Sequence, residues 1–362
     1  MRIKSEAERK FLEAVFNKLG FSTTDSARIA DQLVDADLRG ISSHGIHRLS
    51  WYRGMVKNHI LTPKAKVEVV KESPGLVLID GHQNAGQVAA TFGMNKAIEK
   101  AQKTGIGASV VKHSGHFGAA GYYSRLALKA GLVGIAMTNT RALTVPTNAL
   151  EAFLGSNAFS FGFPASPHPF IFDAATSVIS AGKIQIHQKR GERLPGEWVV
   201  DDNRYVVKDP DQARDVIENA CKPGHGGGIL TLGGTQEENS NYKGMGFSLI
   251  IELLTGILAQ DQISADQDGG SHDHFFLALD PAFFGDPDQL QKAATAMFDR
   301  LRHLKHLPGK KIWVPGDREY RLLDENKVKG VEVDDQTYAE IKKIGDELSV
   351  EVPESLSWRS FS

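Results

Sequence analysis

An α/β fold is predicted by the chain's alternation of patterns. Three short apolar runs, Leu76 to Asp80, Ile106 to Lys112 and Leu132 to Thr138, have the length and residue types of strands. Two helical stretches lie between them, Gln87 to Thr104 and His116 to Ala130, and Gly105 closes the first. Strands alternating with helices argue for a parallel or mixed sheet covered by helices. The length of 362 residues sets a prior of about two domains.

The remaining elements follow in order. Ala7, Phe11, Val15 and Leu19 recur at near-helical spacing and predict a first helix that Gly20 closes. Thr24 or Asp25 is the expected cap of a second, which carries Ile29, Leu33, Val34 and Leu38 and stops at Gly40. The polar run Ile41-Ser42-Ser43-His44-Gly45 leads into a third, with Ile46, Leu49, Tyr52 and Val56. From Phe159 to Val207 the runs are shorter and β-like, with Gly and Pro between them. Gln236 to Lys243 is a polar loop, Gly246 to Ala259 an apolar helix and Phe275 to Asp280 a strand. Ala293 to Leu307 and Gln336 to Leu348 are helices. No linker is visible, so the switches of pattern near 75 and 300 set the expected domains: helical 1–75, α/β 76–299 and helical 300–362.

Composition narrows the function classes. The chain has 42 Lys and Arg against 44 Asp and Glu, a net charge of −2. That balance leaves no electrostatic footprint for nucleic acid or an anionic membrane as partner. The single Cys221 excludes an intramolecular disulfide and a cysteine-rich zinc module. The opening residues are too charged for a secretory signal, and the apolar stretch from Phe247 to Ala259 is broken by Glu252 and too short for a bilayer. The cytoplasm is the expected location.

Several site signatures are missing. There is no G-x-G-x-x-G between a strand and a helix, no G-x-x-x-x-G-K-[ST] and no G-x-S-x-G. His44 and His47 are three apart, as are His113 and His116, and His272 and His274 flank Asp273. Nothing in the sequence converges them as the three or four ligands zinc needs, so no metal is expected. A metal-assisted lyase or hydrolase on His44, His116 and His272 is a further alternative.

Four polar constellations stand out. In the run from Arg39 to Tyr52, His44, Arg48 and Tyr52 share one face if a single helix passes through them. The Arg fork can hold a carboxylate bidentately, and the imidazole can exchange a proton near neutral pH. A helix capped by Ser43 with a solvated polar face is the competing reading. Lys112-His113-Ser-Gly-His116-Phe-Gly118 follows a predicted strand and opens a predicted helix, where open α/β sheets bind ligands. Thr138-Asn139-Thr140 with Leu154 to Asn157, and Asp173 to Thr176 with Lys183, suit ribose or phosphate, and equally ordinary turns. Tyr242-Lys243-Gly244-Met-Gly246 sets a lysine and free amides at a helix start.

Taken in order, these motifs resemble the type-2 malate/L-lactate dehydrogenases, a family that includes ureidoglycolate dehydrogenase, diketogulonate reductase, sulfolactate dehydrogenase and a cyclic-imine carboxylate reductase. The likeness spans nearly the whole chain. It runs through RGISSHGIHRL at 39–49, NAGQVAA at 84–90, HSGHFGAAGYY at 113–123, MTNT at 137–140 and LGSN at 154–157. It continues with FDAATSV at 172–178, GK at 182–183, YKGMGFSLIIELLTGIL at 242–258, HFFLALDP at 274–281 and PGDRE at 315–319.

The resemblance implies a non-Rossmann, mixed-sheet nicotinamide-binding domain beside a mainly helical domain built from both chain ends. It implies a homodimer and reversible hydride transfer between NAD or NADP and a small 2-hydroxy acid or 2-oxo acid. On this chain the catalytic candidates become His116, His44 and Ser43, with Arg48 and Tyr52 at the substrate carboxylate. Thr140, Asp173, Ala174, Ala175, Thr176, Lys183, Lys243, Gly244, Pro315, Gly316 and Asp317 match cofactor-contact segments. His187, Lys189 and Arg190 could meet a 2′-phosphate, or form a solvated turn.

The chain departs from the family pattern at Arg141 to Leu150, where a Pro- and Gly-rich run is usual, at Ala158, and in the polar insert before Tyr242. Arg141 is an added cation that could hold a second acidic group of the substrate or pair structurally. A relative that binds a nucleotide or metabolite without turnover is the second reading.

Overall fold

The computed structural model describes residues 1–222, 224–267 and 269–356. A short strand β1 (Arg2–Ile3) precedes three helices, α1 (Ser5–Lys18), α2 (Thr23–Leu38) and α3 (Leu49–Lys57). The first two end at Gly20 and Gly40, both at positive φ. The cap of α2 is Ser22, whose Oγ accepts the Asp25 N–H, and not Thr24 or Asp25.

The alternating part then runs β2 (Glu68–Glu72), β3 (Leu76–Asp80), α4 (Gly86–Thr104), β4 (Ile106–Ser114), α5 (Gly121–Lys129) and β5 (Val133–Thr138). The short β6 (Thr144–Val145) is followed by β7 (Ala158–Phe163), β8 (Phe170–Ala175), α6 (Ala181–Arg190), β9 (Val199–Val200), β10 (Val206–Val207), α7 (Pro210–Asn219) and β11 (Gly228–Leu230). Helix α8 (Asn241–Glu252) runs on through a π turn at Leu253–Ile257. Last come β12 (His272–Leu279), α9 (Pro287–Arg302), α10 (Asp317–Lys329), β13 (Val331–Glu332) and α11 (Asp335–Leu348).

Among the described residues, seven strands form the main sheet in the order β2-β3-β4-β12-β5-β7-β8. Of its hydrogen-bonded neighbours β3 and β4 are parallel and the other pairs antiparallel, so the sheet is mixed. The late strand β12 inserts between β4 and β5 and brings His272 and His274 to their carboxyl ends. Helix α4 packs on this sheet through fully buried Ala89, Ala90, Ala97 and Ala101, small enough to let helix and strands approach closely. A second sheet, β10-β9-β11-β6, is backed by α6 and α7 around Ile184, Val199, Ile217 and Ile229.

The chain ends share one core. β1 pairs with β13, and Ile3, Phe11, Leu33, Leu49 and Tyr52 pack with Val331, Ile341 and Ile344. Burying these apolar side chains contributes about 1.5–3 kcal/mol each.

Some expected elements differ. Helices α6, α7 and α10 occupy segments with no helix in the sequence reading. In α6, Ile184 and Ile186 look strand-like, but the segment is a ten-residue helix anchored by buried Ile184. Helix α7 carries a start signal of its own, since Asp209 caps it and Pro210 takes its first turn. The helix expected to open at His116 starts instead at Gly121, which leaves 115–120 irregular.

Candidate active site

The site begins where β4 ends. Gly118 lies at φ +82°, a conformation that an L side chain rarely adopts, and its turn keeps the helix from starting at His116. A Cβ on Gly86 would fall 2.1 Å from the Gly115 carbonyl oxygen, so the start of α4 sits directly beneath the loop. Phe117 is buried and stacks on His274 at 4.6 Å and on Tyr123 at 4.7 Å. That anchor leaves the half-buried His116 ring at the surface of the loop.

His116 is fixed from behind. Its Nδ1 lies 2.7 Å from the Tyr52 hydroxyl and 3.3 Å from the Gly118 N–H. The Tyr52 oxygen in turn accepts Gln87 Nε2–H at 2.7 Å. With the Gly118 N–H and the Tyr52 hydroxyl both aimed at Nδ1, the neutral ring carries its proton on Nε2. Tyr52 is 1% exposed, and burial keeps its hydroxyl protonated. Its hydroxyl is engaged by His116 and Gln87, whereas the sequence resemblance places Tyr52 at the substrate carboxylate.

His44 lies 5.5 Å from His116, ring over ring. The two do not share a helical face with Arg48. Gly45 breaks the segment into two 3₁₀ turns, Ser42–His44 and Ile46–Arg48, before α3 begins. Ser43 Oγ is 3.0 Å from His44 Nδ1, and Arg48 Nε donates to the Ser43 carbonyl at 2.6 Å. The other Arg48 nitrogens make no hydrogen bond among the described residues, and the guanidinium lies 5.6 Å from the centre of the Trp51 ring. Trp51 meets His116 edge-on at 5.2 Å, and His272 meets it at 5.9 Å. Burial, then the Arg48 charge, lowers His44 to about 4. Burial and the neighbouring His44 and Arg48 hold His116 well below the usual imidazole range. Both rings are therefore neutral at pH 7.

The segments matched to a cofactor fall into groups. Thr140 Oγ1 accepts the Ser156 N–H at 3.0 Å, the Thr176 N–H reaches the Ser156 carbonyl at 2.9 Å, and the Leu232 N–H reaches the Thr176 carbonyl at 3.0 Å. A Cβ on Gly244 would sit 2.4 Å from the Leu232 carbonyl oxygen. Thr140, Thr176 and the Lys243-Gly244 helix start are thus brought together by continuous contacts. Ala174 and Ala175 lie on β8 opposite Phe159 and Ala158. A Cβ on Gly182 would lie 3.0 Å from Ser43 Cβ, so Lys183, in the first turn of α6, adjoins the His44 turn. His187, Lys189 and Arg190 lie in the last turn of that helix.

The other candidates make contacts within the chain. Asp173 accepts the Gly121 N–H at 2.7 Å and so fixes the end of the His116 loop. Asp317 holds Arg302 through two bonds, at 3.0 and 2.7 Å, and Pro315 accepts the Ile171 N–H at the far end of β8 from Thr176. Gly316 opens α10 at φ +99°. Arg141 points its guanidinium at the Ile217 carbonyl and Cys221, at the end of α7. Cations favour that end of a helix, and these contacts are those of the structural-pairing alternative for Arg141.

Gln87 and Trp51 were missed as site residues. A signal for Gln87 existed, because an amide inside the apolar stretch that follows Asn84 must find a partner when buried. No group of three or more His, Cys, Asp or Glu among the described residues is arranged to hold a metal ion.

The family model of malate/L-lactate dehydrogenases matches residues 3–342. A malate dehydrogenase of Pyrococcus abyssi is 32% identical over 96% of this chain and 93% of its own length. An L-sulfolactate dehydrogenase of Methanocaldococcus jannaschii is 32% identical over 97% of this chain and 98% of its own. The crystal structure of a malate dehydrogenase from Entamoeba histolytica superposes with a TM-score of 0.93 at 30% identity, covering 98% of this chain and 99% of that one. Fold, site and likeness define an α/β oxidoreductase. More particularly, the chain belongs to the malate/L-lactate dehydrogenase family.

Proposed function

We propose that the protein interconverts a small 2-hydroxy acid and its 2-oxo acid with NAD or NADP as hydride partner. The observation that carries this reading is a proton-transfer ring, His116, braced by Tyr52 and Gln87, with the open Arg48 fork joined to it through Trp51.

The residues present fit a dinucleotide. Helices α6 and α8 both begin without a side-chain cap, and each carries an exposed lysine in its first turn, Lys183 and Lys243. Neither ammonium makes a hydrogen bond or ion pair among the described residues, and such helix starts suit phosphate. Lys183, Lys243-Gly244, Thr140 and Asp173 to Thr176 would hold the cofactor, with Pro315 to Asp317 at the outer end of β8. When bound, the nicotinamide supplies or accepts the hydride.

The chain's own residues do the rest. Arg48 holds the substrate carboxylate, which orients the 2-carbon relative to His116. In the reductive direction negative charge develops on the substrate oxygen, and protonated His116 gives it the Nε2 proton. The imidazolium is accommodated because the Tyr52 hydroxyl can turn to donate to the His116 carbonyl, 3.4 Å away, while its oxygen accepts a hydrogen bond from Nδ1–H. The substrate carboxylate offsets the Arg48 charge that disfavours the imidazolium in the free protein. In the oxidative direction neutral His116 takes the proton back. His44, kept uncharged and stacked on His116, shields that ring from water, with Ser43 fixing its tautomer.

A homodimer and a cytoplasmic location belong to the same proposal. Helix α8 and its π turn bury polar Asn241, Ser248, Glu252 and Thr255 and expose Phe247, Ile250, Leu253 and Ile257. That inverted pattern supports a protein-covered face, and a second copy is the occupant proposed. The domains proposed are 1–75 with 300–362, and 76–299. No helix among the described residues is long and apolar enough to cross a membrane. Titration of the tryptophan fluorescence with NADH and with NADPH tests the cofactor assignment. Micromolar binding of one supports it, and binding of neither contradicts it.

A further inference from the structure

Two buried carboxyl groups lie behind the His44 turn. Glu8 of α1 is 0% exposed and Asp37, in the last turn of α2, is 5% exposed. Burying a carboxyl is costly unless hydrogen bonds compensate. Asp37 Oδ2 accepts the Ile46 N–H at 2.6 Å. No N–H or hydroxyl donor among the described residues reaches either Glu8 oxygen, and the group that faces them is the Asp37 carboxyl. Two such groups cannot both be ionised there. One proton between them makes Glu8 the donor and Asp37 the acceptor. Burial, with the Asp37 charge adding to it, holds Glu8 well above the usual glutamate range. Burial also lifts Asp37 to about 7, against the two bonds it accepts.

Asp37 lies flat against Gly45. A Cβ at position 45 would fall 2.0 Å from the Asp37 carboxyl carbon and from both its oxygens. The φ of Gly45 is −99°, open to any residue, so contact alone demands glycine there. Gly45 is the joint between the turn that presents His44 and the turn that presents Arg48. Asp37 fastens the second turn at its first amide, Ile46, and the Arg48 bond to the Ser43 carbonyl closes the unit.

We infer that Asp37 is a positioning residue that locks the His44 turn to the Arg48 turn, so that the proton-transfer and carboxylate-holding groups keep one relative geometry. Its kinetic consequence rests on the dehydrogenase reading, but its structural consequence does not.

The test compares Asp37→Ala, Asp37→Asn, Glu8→Gln and Gly45→Ala in the full chain. The first readout is the ring-nitrogen NMR spectrum of His44 and His116, which needs no turnover. Asp37→Ala and Gly45→Ala should shift both rings. Asp37→Asn, whose oxygen still accepts the Ile46 N–H, should not, nor should Glu8→Gln, whose amide still donates to Asp37. The second readout is kinetic. Misplacement of the two turns should lower kcat/KM for the 2-oxo acid by roughly 10- to 100-fold in Asp37→Ala and Gly45→Ala, with the Kd for NADH or NADPH held within about twofold. Asp37→Asn should recover most of the loss. Wild-type ring signals in Gly45→Ala, or an Asp37→Asn as perturbed as Asp37→Ala, would overturn the inference. Should Asp37→Ala not fold, Gly45→Ala carries the same comparison. Absence of turnover in the wild type would contradict the dehydrogenase reading alone, because the NMR comparison would still decide the role of Asp37.

Discussion

No carboxylate among the described residues pairs with His116; Tyr52 lies behind it and His44, Arg48 and His272 lie beside it. Burial comes first, and the neighbouring His44, Arg48, His272 and His274 second, in lowering its pKa. The sign for activity follows. Oxidation needs neutral imidazole, so kcat/KM for the hydroxy acid should stay level as pH falls through the ordinary imidazole range near 6.5 and drop only below it. Arg48→Gln removes one lowering charge and should move that acid limb upward, and an unmoved limb in the pH profile would assign the limb to another group. His116→Gln should lower kcat by roughly 10²–10⁴-fold with cofactor affinity unchanged, a split that fluorescence titration beside steady-state assay resolves. Arg48→Ala should raise KM for the 2-oxo acid by roughly 10- to 100-fold, the scale of one lost charged hydrogen-bonding group. Ser43, His44, Arg48 and His116 were legible in the sequence because their chemistry resides in residue type and close spacing. Gln87 and Asp37 were not, because their roles arise only when α4 and α2 pack against the turns. Arg141 is read from sequence as a substrate cation or a structural pair, and only the fold shows the α7 carbonyl of Ile217 within its reach.

At the scale of elements, the apolar runs at 76–80, 106–112 and 132–138 were readable because strands buried in a sheet need little beyond β-branched and apolar side chains. The insertion of β12 between β4 and β5 was not readable, since no local pattern encodes a neighbour so distant in sequence. His274 shows what that insertion secures. Its ring is fully buried, with Nδ1 2.8 Å from Thr138 Oγ1 on β5 and Nε2 2.9 Å from Ser114 Oγ on β4. Burial lowers it to about 3. The folded value lies below the unfolded value near 6.5, so the unfolded chain binds the extra proton between them. The His274 contribution is complete above 6.5 and is lost as pH falls toward 3. The stability gap between wild type and His274→Gln should therefore narrow by roughly 2 kcal/mol from pH 8 to pH 5, and a gap in denaturant unfolding that is constant with pH would place a charged ring in the core.

The whole molecule joins its two ends in one core and leaves the apolar side of α8 uncovered, a face no single chain of this kind profits from exposing. Leu253→Asp should shift sedimentation from dimer toward monomer, whereas a wild-type protein that sediments as a monomer at micromolar concentration would contradict the homodimer. The mixed α/β class was legible from alternation, and the family from the order of its motifs. The proposed reaction draws on residues from the turns before α3, from α3, from α4 and from the loop after β4, which only the folded chain assembles. The most direct test of that reaction is the loss of NADH or NADPH absorbance on adding pyruvate, oxaloacetate or sulfopyruvate to the wild type and to His116→Gln. The geometry predicts turnover of at least one 2-oxo acid by the wild type and a collapse of kcat in the variant. Equal rates in the two proteins, or no turnover with either cofactor, would contradict it.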